Sequence, residues 1–207
     1  MIYDETTLDK IFLRLNQSNC DYLVLRNYEQ LLPFPCFIDG DIDFLCYNRK
    51  QFVQILGAKK RENGLNAAHY EIFVQGRRIE IDVREVGDGY YCKQWEADCL
   101  KNKVLYNEKF YVMDRENYYF SLIYHCLIHK GQISDKYFEK INFLYNAKKT
   151  QEELRNMLFD FMKQKNYKVT NSSDWELNVH YDGVSKDLIS QKKLWKIKRL
   201  FFRRFKV

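Results

Sequence analysis

The 207-residue chain contains only two prolines and eight glycines, which excludes a collagen-like or low-complexity polypeptide. It has no run of about 18 apolar residues, so no membrane-spanning helix is expected. Its six cysteines (Cys20, Cys36, Cys46, Cys92, Cys99, Cys126) form no CxxC pair, and the N-terminal MIYDETTLDK lacks the apolar h-region of a secretion signal. Reduced thiols, mostly in the core of a cytoplasmic protein, are the expectation. Basic excess is also missing from most of the chain. The net charge is +6, yet residues 188–207 hold eight basic residues and no acid, leaving 26 basic against 28 acidic residues before them. That excludes a chain basic throughout that coats nucleic acid, and nucleic acid is not an expected partner.

What is present indicates a folded body. Hydrophobic residues make up 46%, with 16 Tyr and 15 Phe, enough for a real core. Leu8, Ile11, Phe12 and Leu15 have helical spacing within residues 5–18. A strand is expected at Tyr22–Arg26 and another at Asp41–Tyr47, after a loop with Pro33 and Pro35. A helix over 49–58 follows. Then comes a hairpin of Ala67–Val74 and Arg78–Val83, with a turn at 75–77. Beyond Gly89 the period changes to 3.6, giving helices at Gln94–Asn102, from an Asp114 N-cap through Lys130, at Ser134–Ala147 and at Thr150–Gln164. Thr150 and Glu153 form a capping-box pattern. The order predicts an α+β fold, a mixed sheet followed by a helical C-terminal half. The organisation read from it is a 1–110 α/β core, a 111–187 helical subdomain and a 188–207 basic segment.

Asp41-Ile42-Asp43-Phe44 is the most informative stretch. Residues two apart on a strand share a face, so Asp41 and Asp43 project together. Adjacent carboxylates repel unless a cation lies between them, and Mg²⁺ or Mn²⁺, a hard ion, suits such oxygens. Glu80 and Asp82 repeat the pattern in Ile79-Glu80-Ile81-Asp82-Val83. The alternative is a solvated sheet face, or acids paired with Arg77, Arg78 and Arg84.

The segments YLVLRNYEQLLPFPCFIDGDIDFLC and RRIEIDVREVGDGYY resemble the nucleotidyltransferase superfamily of the DNA polymerase β type. Its minimal bacterial forms read "LRxYExLP…DIDhL" and later "hDhR". The resemblance covers about residues 5–90, more loosely the helix after it, and extends to proteins of bacterial surface-polysaccharide clusters. It implies a nucleotidyltransferase-like mixed sheet with flanking helices. It also implies Asp41 and Asp43 as metal-binding carboxylates and Asp82 as a third, able to activate an acceptor hydroxyl. In such chemistry, positioning and charge neutralisation carry most of the catalysis. The family's glycine pair after the first strand is replaced by Arg26-Asn27, so Arg26 would meet phosphate through its side chain. By the same resemblance Lys130, Ser134, Lys136 and Tyr137 are candidates for nucleotide or phosphate contacts. Glu80 has no role in the family pattern and would support the ligands or meet substrate.

His125 and His129, four apart on an apolar helix, have a spacing compatible with zinc, but no Glu follows the first His as in HExxH. They are read as core or cleft histidines and, with Glu80, as candidates to support the site. In residues 188–207 the apolar side chains Leu194, Trp195, Ile197, Phe201, Phe202 and Phe205 fall on an arc of about 160°, with basic residues on most of the rest. This is the pattern of an interfacial helix on an anionic membrane. Docking on the protein's own core and nucleic-acid binding are the other readings.

The expectation is therefore a metal-dependent nucleotidyl or related phosphoryl transferase. Its partners would be a nucleotide donor and a small hydroxyl- or phosphate-bearing acceptor, in surface-polysaccharide synthesis at the inner face of a bacterial membrane. The altered glycine position motivates a non-catalytic nucleotide- or partner-binding module as the alternative. An antibiotic-modifying nucleotidyltransferase is a third reading.

Overall fold

Helix α1 (Leu8–Gln17) starts where Thr7 accepts a hydrogen bond from the Lys10 amide, and it buries Leu8, Ile11, Phe12 and Leu15. It is the first element of a computed structural model that describes residues 7–32, 40–62, 67–146, 148–170 and 178–190. The chain divides into two compact units, residues 1–88 with 96–118, and residues 89–95 with 119–207.

The first unit carries a seven-stranded mixed sheet. In chain order its strands are β1 (Tyr22–Val24), β2 (Ile42–Cys46), β3 (Lys59–Lys60), β4 (His69–Val74), β5 (Arg77–Glu85), β6 (Val104–Tyr106) and β7 (Phe110–Val112). Across the sheet they run β3-β4-β5-β2-β1-β7-β6. β2 lies parallel to β5 and antiparallel to β1. Helix α2 (Arg49–Leu56) follows β2, capped by Asn48 accepting from the Gln51 amide. It packs on β5, while α1 packs on α2 and β7. The Ile42, Phe44 and Cys46 side of β2 meets these helices. Phe44 lies 5.0 Å from Phe52 between ring centroids, and Phe12 lies 4.5 Å from Phe110. This aromatic layer is the unit's core. Alternation on β2 therefore turns Asp43 to the opposite face.

The β4–β5 hairpin forms as expected, but its turn is the two residues Gln75 and Gly76, with φ of 51° and 74°. That geometry follows the twist of the flanking strands. β6 and β7 were not expected from the periodicity, because three-residue strands carry too few side chains to show alternation. They are joined by Asn107, Glu108 and Lys109, the first two with positive φ, and the Lys109 amide donates to the Tyr106 carbonyl at 2.9 Å.

In the second unit, Trp95 is fully buried against Tyr91, Tyr124, Phe161 and Tyr167. Helix α3 (Lys93–Lys101) contains that tryptophan. The long helix expected from Asp114 through Lys130 is α4 (Arg115–Tyr124) followed by a π turn at His125–His129. The Lys130 amide donates to the His125 carbonyl, five residues back. Helices α5 (Asp135–Tyr145) and α6 (Gln151–Gln164) follow, α6 with the Thr150–Glu153 capping box in place. Five cysteines among the described residues are free and buried. Among the described residues no helix is long and apolar enough to cross a membrane. The interfacial helix read from 188–207 falls, from residue 191 onward, outside the described residues; Lys186–Leu188 is a short 3-10 turn with Leu188 buried.

Candidate functional site

Asp43 is the second residue of a wholly buried strand, and Asp82 is its register partner on β5. Parallel pairing in that register turns both side chains to the sheet face away from Phe44. Asp41 stands one residue before β2 and is exposed. One ligand oxygen from each of Asp41, Asp43 and Asp82 falls within 4.8 Å of the others. Asp43 is 6% exposed and Asp82 9%, so the cluster has two buried acids and one open to solvent.

Three cationic or ionisable groups face these acids. The Arg26 guanidinium, buried just beyond β1, donates from Nη2 to Asp43 Oδ1 at 2.6 Å. Arg84, two residues along β5 and therefore on the same face, donates from Nη2 to Asp82 Oδ2 at 3.3 Å. His69, opposite Asp82 on β4, places Nε2 3.4 Å from Asp82 Oδ1. Burial pushes the Asp43 carboxyl up to about 6; Arg26 opposes the shift, while Asp41 and Asp82 add to it. Asp82 is likewise raised by burial, with Arg84 and then His69 opposing. Burial is the larger influence on both acids, and the neighbouring arginines offset it only in part.

A hard divalent cation fits this donor set: three carboxylates, two held rigidly on paired strands, with the third on the solvent side. Asp41, Asp43 and Asp82 would hold it. Arginine pairing, the other reading of these acids, also occurs in part. Arg84 meets Asp82, and Arg78 ion-pairs with Glu80. Glu80 is bound further by Arg61 at 3.0 Å, so it is engaged with arginines along the same face.

Asn27 has φ 54°, ψ 23°, the left-handed conformation that a glycine would supply at this place. Its side chain makes no cap to the 3-10 turn at Tyr28–Leu31. Lys130, Ser134, Lys136 and Tyr137 belong to the second unit. Lys130, Ser134 and Lys136 are exposed, and the Tyr137 ring lies 5.8 Å from that of His125. His125 and His129 are buried there. His129 Nε2 is 3.0 Å from the Tyr90 carbonyl, and the Tyr90 hydroxyl is 3.2 Å from His125 Nδ1. Both histidines thus bond to one tyrosine across the π turn.

His69 was not singled out from the sequence, although a signal for it exists. A two-residue turn at Gln75-Gly76 sets the hairpin register that pairs His69 with Asp82. Placing the turn over three residues shifts that register.

No protein-family model and no curated protein matches the chain. Among solved structures it is similar to a candidate nucleotidyltransferase from Thermotoga maritima, with 18% identity, a TM-score of 0.37, and coverage of 74% of this chain and 91% of that one. A likeness this distant assigns no residue a role.

Proposed function

We propose that the protein is a metal-dependent transferase that moves a nucleotidyl or related phosphoryl group to a small hydroxyl- or phosphate-bearing acceptor. The observation that carries this reading is the convergence of Asp41, Asp43 and Asp82 within 4.8 Å on the polar face of paired strands. The resemblance of the surrounding LRxYE…DIDhL and hDhR segments to nucleotidyltransferases supports it. Mg²⁺ or Mn²⁺, when bound, supplies neutralisation of phosphate charge and activation of the attacking hydroxyl. The chain's own residues do the rest. Asp43 and Asp82 present their oxygens from a fixed register, Asp41 lies on the solvent side, and His69 and Arg84 hold Asp82 from its two oxygens. By the resemblance, Asp82 is also the group that would receive the acceptor's proton.

The acceptor class follows from resemblance to proteins of surface-polysaccharide clusters. The basic 188–207 segment is the proposed contact with an anionic membrane at the inner face of the cell envelope. Deleting it should abolish pelleting with anionic liposomes; undiminished pelleting would remove the membrane from the proposal.

The second reading, a binding module without turnover, is favoured by one observation. Arg26 and Arg84 already supply cationic charge to two of the three carboxylates. A pyrophosphate-release screen with nucleoside triphosphates and Mg²⁺ over sugar phosphates and polyols decides between them. Release that disappears in Asp43→Asn supports the transferase. Calorimetric nucleotide binding with no release in any combination supports the module.

A further inference from the structure

We propose that Arg26 is the built-in competitor of the divalent cation: it closes the carboxylate site by pairing with Asp43, and the ion enters by exchange for it. This rests on the metal reading above and names how that site is controlled.

The contact is short, buried and charge-assisted. Nη2 of Arg26 and Oδ1 of Asp43 are 2.6 Å apart, with only 8% and 7% of the two side chains exposed. A hydrogen bond of that kind occupies an oxygen that an ion would need, and it is among the stronger polar contacts. Charge points the same way. Three carboxylates facing two guanidinium groups leave one negative charge in excess. Exchanging one guanidinium for a divalent ion brings the cluster to neutrality, whereas adding the ion beside both arginines leaves it cationic in a buried place.

Contact distance indicates which arginine competes with the ion: Arg26 sits on Asp43 at 2.6 Å, whereas Arg84 reaches Asp82 at 3.3 Å. Arg84 is inside β5, in ladder register with Leu45, and its carbonyl accepts from the Cys46 thiol at 3.4 Å. Arg26 instead stands in a bend past the end of β1, next to left-handed Asn27. If Arg26 merely positioned Asp43 as a ligand, its removal would weaken metal binding. The exchange role requires the opposite sign.

The test is Mn²⁺ binding by electron paramagnetic resonance, without nucleotide and at one mildly alkaline pH. Arg26→Met should bind Mn²⁺ about ten- to a hundredfold more tightly than the unaltered protein, the scale of one lost charge-assisted contact. Asp43→Asn should lose binding. Equal or weaker binding in Arg26→Met, with Asp43→Asn still losing it, overturns the exchange and leaves the metal reading intact. No Mn²⁺ binding in either the unaltered protein or Arg26→Met overturns both. A measurement on the unaltered chain guards against misfolding of the variant. Its ¹⁵N-arginine spectrum should contain a guanidinium signal protected from solvent exchange that loses protection on adding Mg²⁺. Unchanged protection at saturating Mg²⁺ overturns the proposal.

Discussion

Asp43 and Asp82 are direct register partners across the parallel β2–β5 pair, and each is held by a different arginine, Arg26 for the first and Arg84 for the second. Two buried acids of one sign thus sit side by side at the centre of a sheet, where neither would be tolerated without compensating charge.

His69 should act on metal binding through Asp82. Its Nε2 lies 3.4 Å from Asp82 Oδ1, close enough to orient that carboxylate. Groups that orient a ligand typically contribute ten- to a hundredfold in affinity. We expect His69→Gln to lower Mn²⁺ affinity about tenfold, with Asp82→Asn lowering it more. Circular dichroism should show both variants folded. Equal affinities for His69→Gln and the unaltered protein would remove the orienting role.

The metal-free protein should lose stability as pH rises from about 4 to about 6. The folded Asp43 carboxyl titrates near 6, against 3.8 as its ordinary value. A raised folded pKa means that the native state holds the proton more tightly. The associated stabilisation is therefore complete below pH 3.8, is lost as pH rises through about 6, and stays absent above it. Asp82, also raised, acts in the same direction. Urea midpoints measured across this range should fall, with a shallower fall in Asp43→Asn. Proton and cation compete for the same oxygens, so Mn²⁺ affinity should rise over the same interval.

Asn27 should tolerate glycine and resist a branched side chain. Its φ of 54° lies in the left-handed region, which glycine and asparagine adopt readily. Asn27→Gly should change unfolding free energy little, and Asn27→Val should lower it by about 1–2 kcal/mol. Denaturant titration of both variants checks the contrast. Comparable stability of the valine variant would show that the bend does not need this conformation.

Trp95 should dominate the second unit's stability. It is 0% exposed and stacks on Tyr167 at 5.3 Å between ring centroids. Trp95→Ala removes a large ring from a packed site and should cost about 3–5 kcal/mol. Thr150→Ala, which removes the capping box of α6, should cost about 1 kcal/mol. Thermal unfolding followed by circular dichroism ranks the two. A tryptophan variant no less stable than the cap variant would contradict the packing described.

Much of this protein is local information. Spacing of Leu8, Ile11, Phe12 and Leu15 defines α1, alternation around Asp43 and Asp82 defines two strands with one acidic face each, and Thr150 with Glu153 marks the start of α6. These patterns lie within a few residues of one another, where side-chain period and capping hydrogen bonds act directly. The sequence likewise confines the cationic excess to residues 188–207.

Other features needed the folded chain. Nothing in the spacing of Asp43 and Asp82 states that β2 and β5 pair in parallel with those two residues opposed, because parallel register is set by the packing of α2 and the hairpin between them. His69 enters the site through hairpin register, and Arg26 through the antiparallel placement of β1 beside β2. The short β6–β7 pair and the π turn at His125–His129 fall below the length at which periodicity shows. Sequence alone supplied the acids and the face they occupy. Tertiary structure decided which cations meet them, since an ion pair depends on distances between segments that the chain brings together only when it folds.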